Sequence, residues 1–192
     1  VPASGGWADA SDYLQYVTTS ATATFQMLQA WREYPRAFGD EYQADGRAGA
    51  NGIPDVLDEA RHGLVWLLKM FPDDSLMLNQ LGDDRDHMYF DLPQNDSSDY
   101  GWGKGGPRPL YPCTGIAQGL LRYQNRATGY ASTAGKFAAA FALGAQVLRE
   151  REPTLANTLA RKARAAFALG EKYPGACQTA PARGPYFYEE DD

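Results

Sequence analysis

The sequence predicts an all-α protein assembled from helical hairpins in series, the construction of an (α/α) toroid. Three observations predict it: apolar residues recur at steps of three and four in long stretches, Gly- and Pro-rich loops separate those stretches, and no run of alternating apolar and polar residues marks a strand.

The first stripe is Leu14, Val17, Ala21, Phe25 and Leu28, which predicts a helix ending near Tyr34 and Pro35. A loop over 34–52 follows, and then Ile53-Pro54-Asp55 sets proline and an acid at a first turn ahead of Leu57, Ala60, Leu64, Leu67 and Leu68. Phe71-Pro72 ends that second helix. From 73 to 130 no period persists, and one or two weaker helices are the most this region predicts. It carries Tyr89, Phe90, Tyr100, Trp102, Tyr111 and Tyr123 among many Gly and Pro residues. A loop region this long builds a binding surface or a lid, and planar rings suit the apolar faces of sugars, although some of these rings must fill the core. Residues 131–151 are alanine-rich, with Phe137, Phe141, Leu143 and Leu148 as bulky members and Gly135 and Gly144 admitting close helix packing. Pro153 opens a final helix striped by Leu155, Leu159, Ala163, Ala166 and Phe167 and stopped at Tyr173-Pro174-Gly175, so the last pair forms an antiparallel hairpin.

At 192 residues and 44% hydrophobic content the chain is long enough for one domain with a real core. A net charge of −6, with 18 scattered basic residues, argues against nucleic acid and against an anionic membrane surface, and no apolar stretch reaches membrane-spanning length. An uncharged substrate fits this balance better. Val1 in place of methionine, with no signal peptide in view, leads to the expectation that something upstream has been removed. Cys113 and Cys177 are too few for a disulfide framework and too far apart for a zinc motif. Two free buried thiols are expected, with a single bridge as the alternative.

The stretch with most chemistry is Gly5-Gly6-Trp7-Ala8-Asp9-Ala10-Ser11-Asp12-Tyr13. Read plainly, one aspartate caps the first helix and the other complements its positive end. Read functionally, both carboxylates face a cleft and hold one water between them. Spacing does not choose between the two. The wording resembles the catalytic-base motif of glycoside hydrolase family 9, the inverting cellulases, whose usual form is Gly-Gly-Trp-x-Asp-Ala-Gly-Asp-Tyr; Ser11 stands where many members have glycine. The resemblance implies Asp12 as general base and Asp9 as its partner on the water.

Further segments resemble the same family. Asn51-Gly52-Ile53-Pro54-Asp55-Val56-Leu57-Asp58-Glu59-Ala60 is similar to a Pro-Asp-x-Leu-Asp-Glu helix start, where the acids are expected to support the fold. Gln80-Leu81-Gly82-Asp83-Asp84-Arg85-Asp86-His87 resembles Val-Gly-Asp-x-x-x-Asp-His, shortened by one residue, with Phe90 at the place of a family tryptophan. By that resemblance His87 binds the sugar at the cleavage point and does not transfer protons, whereas His62, in mid-helix, is a surface or core histidine. Arg108-Pro109-Leu110-Tyr111, Gln118-Gly119-Leu120 and Asn125-Arg126-Ala127-Thr128-Gly129 also look like family segments. Arg108 and Arg126 either bind substrate hydroxyls or are ordinary surface charges; the second reading is preferred, and Arg126 is kept with Trp7, Tyr89, Phe90 and Trp102 as a binding candidate.

The resemblance implies an (α/α)6 toroid of twelve helices, of which residues 1–192 supply roughly the first half and continue past the C-terminal end. The family's acid is a glutamate in the far C-terminal portion that nothing here matches; Glu189 and Glu190 sit in a helix approach and are rejected. The expected activity is inverting hydrolysis of β-1,4-glucosidic bonds, incomplete without a second polypeptide or the missing half. The substrate is then a β-glucan or cello-oligosaccharide, and the expected location is secreted or periplasmic. The alternatives are an exo-acting β-glucosidase or glucosaminidase, and a carbohydrate-binding half-barrel without catalysis. A toroid of isomerase or lyase type ranks last, because it wants a histidine or tyrosine base. No cofactor is required. A structural calcium at Asp83, Asp84 or Asp86 is open, but the cluster lacks regular ligand spacing and no metal is assigned.

Overall fold

The computed structural model describes residues 2–10, 12–88, 92 and 95–184. Four long helices dominate it: α1 (Val17–Glu33), α2 (Asp55–Met70), α3 (Ala131–Val147) and α4 (Pro153–Lys172). No further α-helix lies between α2 and α3 among the described residues, where a 3₁₀ turn is found at Asp86–Met88, so the weaker helices expected there are absent from them.

The helix ends follow local chemistry. Pro54 is the N-cap of α2, and Pro153 opens α4, positions where a missing N–H costs nothing. The loop ahead of α2 hangs on its first-turn acids. Asp55 accepts main-chain N–H groups from Glu41 (3.1 Å) and Tyr42 (3.0 Å), and Asp58 accepts from the Asn51 amide at 2.7 Å.

Helix α1 starts later than its stripe predicts. Leu14 is fully buried but precedes the helix, because Gln15–Tyr16 form a short strand, β1. The buried face is Val17, Ser20, Ala21, Thr24 and Leu28, and Phe25 falls one position off it, 36% exposed. Phe167 is likewise 60% exposed, because α4 turns Ala156, Leu159, Ala163, Ala166 and Leu169 inward instead. Lys162 is buried on the same face, its Nζ 2.9 Å from Asp74 and 4.3 Å above the Phe71 ring.

Helices α3 and α4, joined by residues 148–152, form the expected antiparallel hairpin, and α1 packs on both α2 and α3. Leu28, Leu64, Leu67, Phe71, Phe137, Phe141 and Leu159 fill the space between them. Gly144 admits the close approach, since a Cβ there would run into Leu64 and Leu159. Gly135 does not: open space surrounds it. Tighter still than Gly144 is Gly63 of α2, where a Cβ would overlap both Thr24 of α1 and Trp7.

A small antiparallel sheet, missed by the sequence reading, joins the helices to the site. Its order is β1, then β2 (Leu78–Leu81), then β3 (Leu110–Pro112), with Gln15 opposite Leu81 and Tyr16 opposite Gln80. Cys113, just past β3, is bonded to Cys177 in a disulfide with Cα atoms 5.6 Å apart, which corrects the expectation of free thiols. The sheet brings them together: the Cys113 N–H donates to Met77 O beside β2, and the chain after α4 returns along the same region, where Ala180 N donates to Gln80.

Candidate active site

The N-terminal segment is strapped across α2. Glu59 accepts the Trp7 indole N–H at 2.6 Å, His62 Nε2 meets Gly6 O at 3.1 Å, the Trp66 indole donates to Ala3 O at 3.2 Å, and Lys69 Nζ donates to Ser4 O at 2.6 Å. Positions 59, 62, 66 and 69 share one helix face, so one face of α2 fixes the approach to the motif. Trp7 sits on Gly63 with its ring 5.6 Å from His62, a placement that anchors the loop. Gly6, at φ +69°, packs against the Trp66 ring where a side chain would collide.

Beyond the strap, Asp9 N donates to Leu14 O at 2.8 Å and closes a tight loop around Asp12. Neither aspartate caps α1, whose N-cap is Tyr16 with no side-chain cap. Asp12 is buried at 7% exposure, and its Oδ1 accepts the Leu14 N–H at 3.2 Å. Asp9 is half-buried at the foot of the same loop.

The register then makes the site. In an antiparallel pair the residues before Gln15 lie beside those after Leu81, so Asp12 and the 82–88 turn meet at one end of the sheet. Gly82 turns the chain there at φ +76°, and a Cβ on it would crowd Asp86 and the Tyr100 hydroxyl. His87 Nδ1 thereby lies 2.7 Å from Asp12 Oδ2, with the imidazole side chain 26% exposed. A buried carboxylate held by an imidazole and a main-chain N–H stays oriented.

Beneath the pair lies an ion network that sequence reasoning did not find. Asp86 is fully buried and takes a two-pronged bond from Arg108, Nε to Oδ2 at 2.7 Å and Nη2 to Oδ1 at 2.9 Å, plus the Tyr100 hydroxyl. Arg108 also donates to Asp96 at 3.0 Å and to the Ser98 hydroxyl at 2.8 Å. Asp83, fully buried, holds Arg85 through Nε (2.8 Å) and Nη2 (2.6 Å) and accepts the Tyr111 hydroxyl. Burial first, and then the Asp86 and Asp83 carboxylates, push the Tyr100 and Tyr111 phenols well above their ordinary range. Arg108 is therefore no surface charge, and Tyr100 and Tyr111 are buried supports. Only their separation hid the pairing, since Asp86 and Arg108 stand 22 residues apart with no shared period.

Asp84 binds the far end of the chain, accepting N–H groups from Ala182, Arg183 and Gly184 at 2.6–2.8 Å. With Asp83, Asp84 and Asp86 all committed to these donors, the acidic turn does not fit a calcium ion. No group of three metal-type side chains occurs among the described residues.

Of the remaining binding candidates, Trp102 is 56% exposed, stacked on Tyr100 at 6.0 Å with its indole N–H fixed on Pro107 O. Arg126 is exposed on a loop whose main-chain N–H donates to Gln178 at 2.6 Å. Tyr89 and Phe90, like Glu189 and Glu190, lie outside the described residues. A cleft of about 620 Å³ borders the motif along Gly5, Ala8, Tyr13, Gln15 and Arg108, but Asp9, Asp12 and His87 do not line it. The pair, not that cleft, defines the site.

Comparison with known proteins identifies the family of the chain. The family described as Glycosyl hydrolase family 9 matches residues 1–192. Endoglucanase C of Cellulomonas fimi is 32% identical over 176 residues, 89% of this chain and 14% of that protein. A cellulose 1,4-beta-cellobiosidase of Acetivibrio thermocellus is 26% identical over 182 residues, 88% of this chain and 18% of that protein. A crystal structure of a metagenome-derived glycoside hydrolase family 9 endoglucanase superposes with a TM-score of 0.60 at 27% identity, covering 89% of this chain and 26% of that one. The chain thus spans between 14% and 26% of these relatives, and its helices are part of an (α/α)6 barrel.

Proposed function

The chain belongs to glycosyl hydrolase family 9, and from that premise we propose that it carries the general-base side of an active site that hydrolyses β-1,4-glucosidic bonds in cellulose or related β-glucans with inversion. The observation that carries the reading is the 2.7 Å contact between the buried Asp12 carboxylate and His87. Asp12 takes a proton from a water as that water attacks the anomeric carbon, and Asp9 orients the same water. An acid on the opposite face protonates the departing oxygen. The two carboxyls stand roughly 6.5–9.5 Å apart in such a mechanism, leaving room for the water. The acid comes from chain outside residues 1–192, either the continuation of the barrel or a second polypeptide. His87, oriented by its contact with Asp12, binds a sugar hydroxyl at the cleavage point and does not transfer protons. Trp102, an exposed ring stacked on Tyr100 and fixed through its indole N–H, offers a platform for a glucose unit. The Cys113–Cys177 disulfide supports a location outside the cytoplasm.

The test is hydrolysis of a soluble β-glucan by the protein that carries this chain with the rest of its barrel, before and after Asp12→Asn. Loss of a general base is expected to lower kcat about 100-fold or more, with the wild-type product released as the inverted anomer by polarimetry. Full activity in D12N, or a retained anomer, overturns the base assignment. A wild-type protein that binds glucan without cleaving it leaves the carbohydrate-binding half-barrel; product profiles on cello-oligosaccharides separate endo from exo action.

A further inference from the structure

The Asp12–His87 pair is built from two chain segments, and one guanidinium touches both. Arg108 grips Asp86, the residue next to His87, through its two-pronged bond at 2.7 and 2.9 Å. The same guanidinium carbon lies 5.0 Å from the centre of the Tyr13 ring, the residue next to Asp12. Asp96 and Ser98 hold its Nη2 from a third side at 3.0 and 2.8 Å. The Arg108 side chain is only 14% exposed and Asp86 1%, so neither has water as an alternative partner of consequence.

We infer that Arg108 is a positioning residue for this site: it locks the 3₁₀ turn carrying His87 against the loop carrying Asp12, and so sets the geometry of the pair. The inference rests on the functional reading above for its catalytic consequence, but not for its geometric one. Three features argue for a role beyond stability. The fork fixes the orientation of Asp86 as well as its distance, because two parallel bonds leave the carboxylate no rotation. The guanidinium carbon lies over the Tyr13 ring while Nε and Nη2 serve Asp86, two tasks that one planar cation combines better than an ammonium. And the sheet alone does not finish the alignment, since its last paired residues, Gln15 and Leu81, stand back from Asp12 and His87 along both chains.

Lysine keeps the charge but has neither the fork nor the flat face, which makes Arg108→Lys the informative change. Two readouts are taken on the same protein. In the first, ¹⁵N-histidine labelling reports the ring nitrogens of His87, with Asp12→Asn showing the signal of a broken pair and His87→Gln assigning the peak. R108K is expected to move the His87 Nδ1 resonance toward its D12N position while the His62 signal stays fixed. In the second, kcat and KM on soluble β-glucan are expected to show a fall in kcat of roughly 100-fold with KM within about threefold, as for a misplaced catalytic group. Should R108K fail to fold, Asp96→Asn loosens Arg108 from outside and is expected to shift both readouts the same way by less. A folded R108K with an unmoved His87 resonance overturns the inference whatever its activity. If D12N stays active, the functional reading fails, and a shifted His87 resonance in R108K still upholds the positioning role.

Discussion

At the scale of single residues, burial decides what each charge can do. Asp96 shows the balance: burial raises its carboxyl, but the Ser98 hydroxyl and main-chain N–H and the Arg108 guanidinium outweigh it and hold the group below the usual 3.8. A depressed carboxylate contributes stability above its unfolded value that is lost as pH falls through the lower folded one. Urea midpoints taken from pH 6 to pH 3 should therefore fall on the acid side, and Asp96→Asn should flatten that fall; an equal slope in both proteins would contradict the assignment. Residue types and spacing made part of this scale legible. Gly5-Gly6-Trp7 and the two aspartates stood out because a helix start has no use for so many special residues at once. The Arg108–Asp86 and Tyr111–Asp83 bonds did not, because Asp, Arg and Tyr are ordinary surface residues until the fold removes their water, and nothing in the sequence states where that happens.

At the scale of elements, the helices were readable and their neighbours were not. Proline at the start of α4, the acids on the first turn of α2 and the stripes of three and four are local signals, so α2, α3 and α4 fall within a few residues of their expected places. Strands of two, four and three residues carry too few positions for alternation to register. Yet the pairing of β1 with β2 is what delivers His87 to Asp12. Glycines show the same division between local and global information. Gly63→Ala should lower unfolding free energy by about 1–3 kcal/mol, because its methyl would push α1 and Trp7 off α2. Gly135→Ala should raise it by about 0.5–1 kcal/mol, since α3 gains a better helix former and nothing lies in the way. Urea unfolding of the two variants separates them by sign, and two losses would mean that Gly135 also packs.

At the scale of the whole molecule, the segment after α4 ties parts that sequence distance keeps apart. The main-chain carbonyls of Gln178 and Thr179 accept from Asn125, Ala180 N–H reaches Gln80, and Asp84 gathers the N–H groups of 182–184. The disulfide from Cys113 to Cys177 sits at the start of this seam and closes 64 residues, including all of α3 and α4. No periodicity reports a tie of that span, which is why free thiols were expected from counting cysteines alone. Its effect should be on stability first and on the site second, because Asp12, His87 and Arg108 are aligned by the sheet and the ion network, neither of which uses the sulfurs. Closing a loop of this length is worth about 2–4 kcal/mol, taken from the unfolded chain. Cys113→Ser with Cys177→Ser should lower the unfolding free energy by that order while leaving the His87 ring resonances where they are. A displaced His87 signal in the folded double variant would show instead that the seam also contributes to the alignment of the pair.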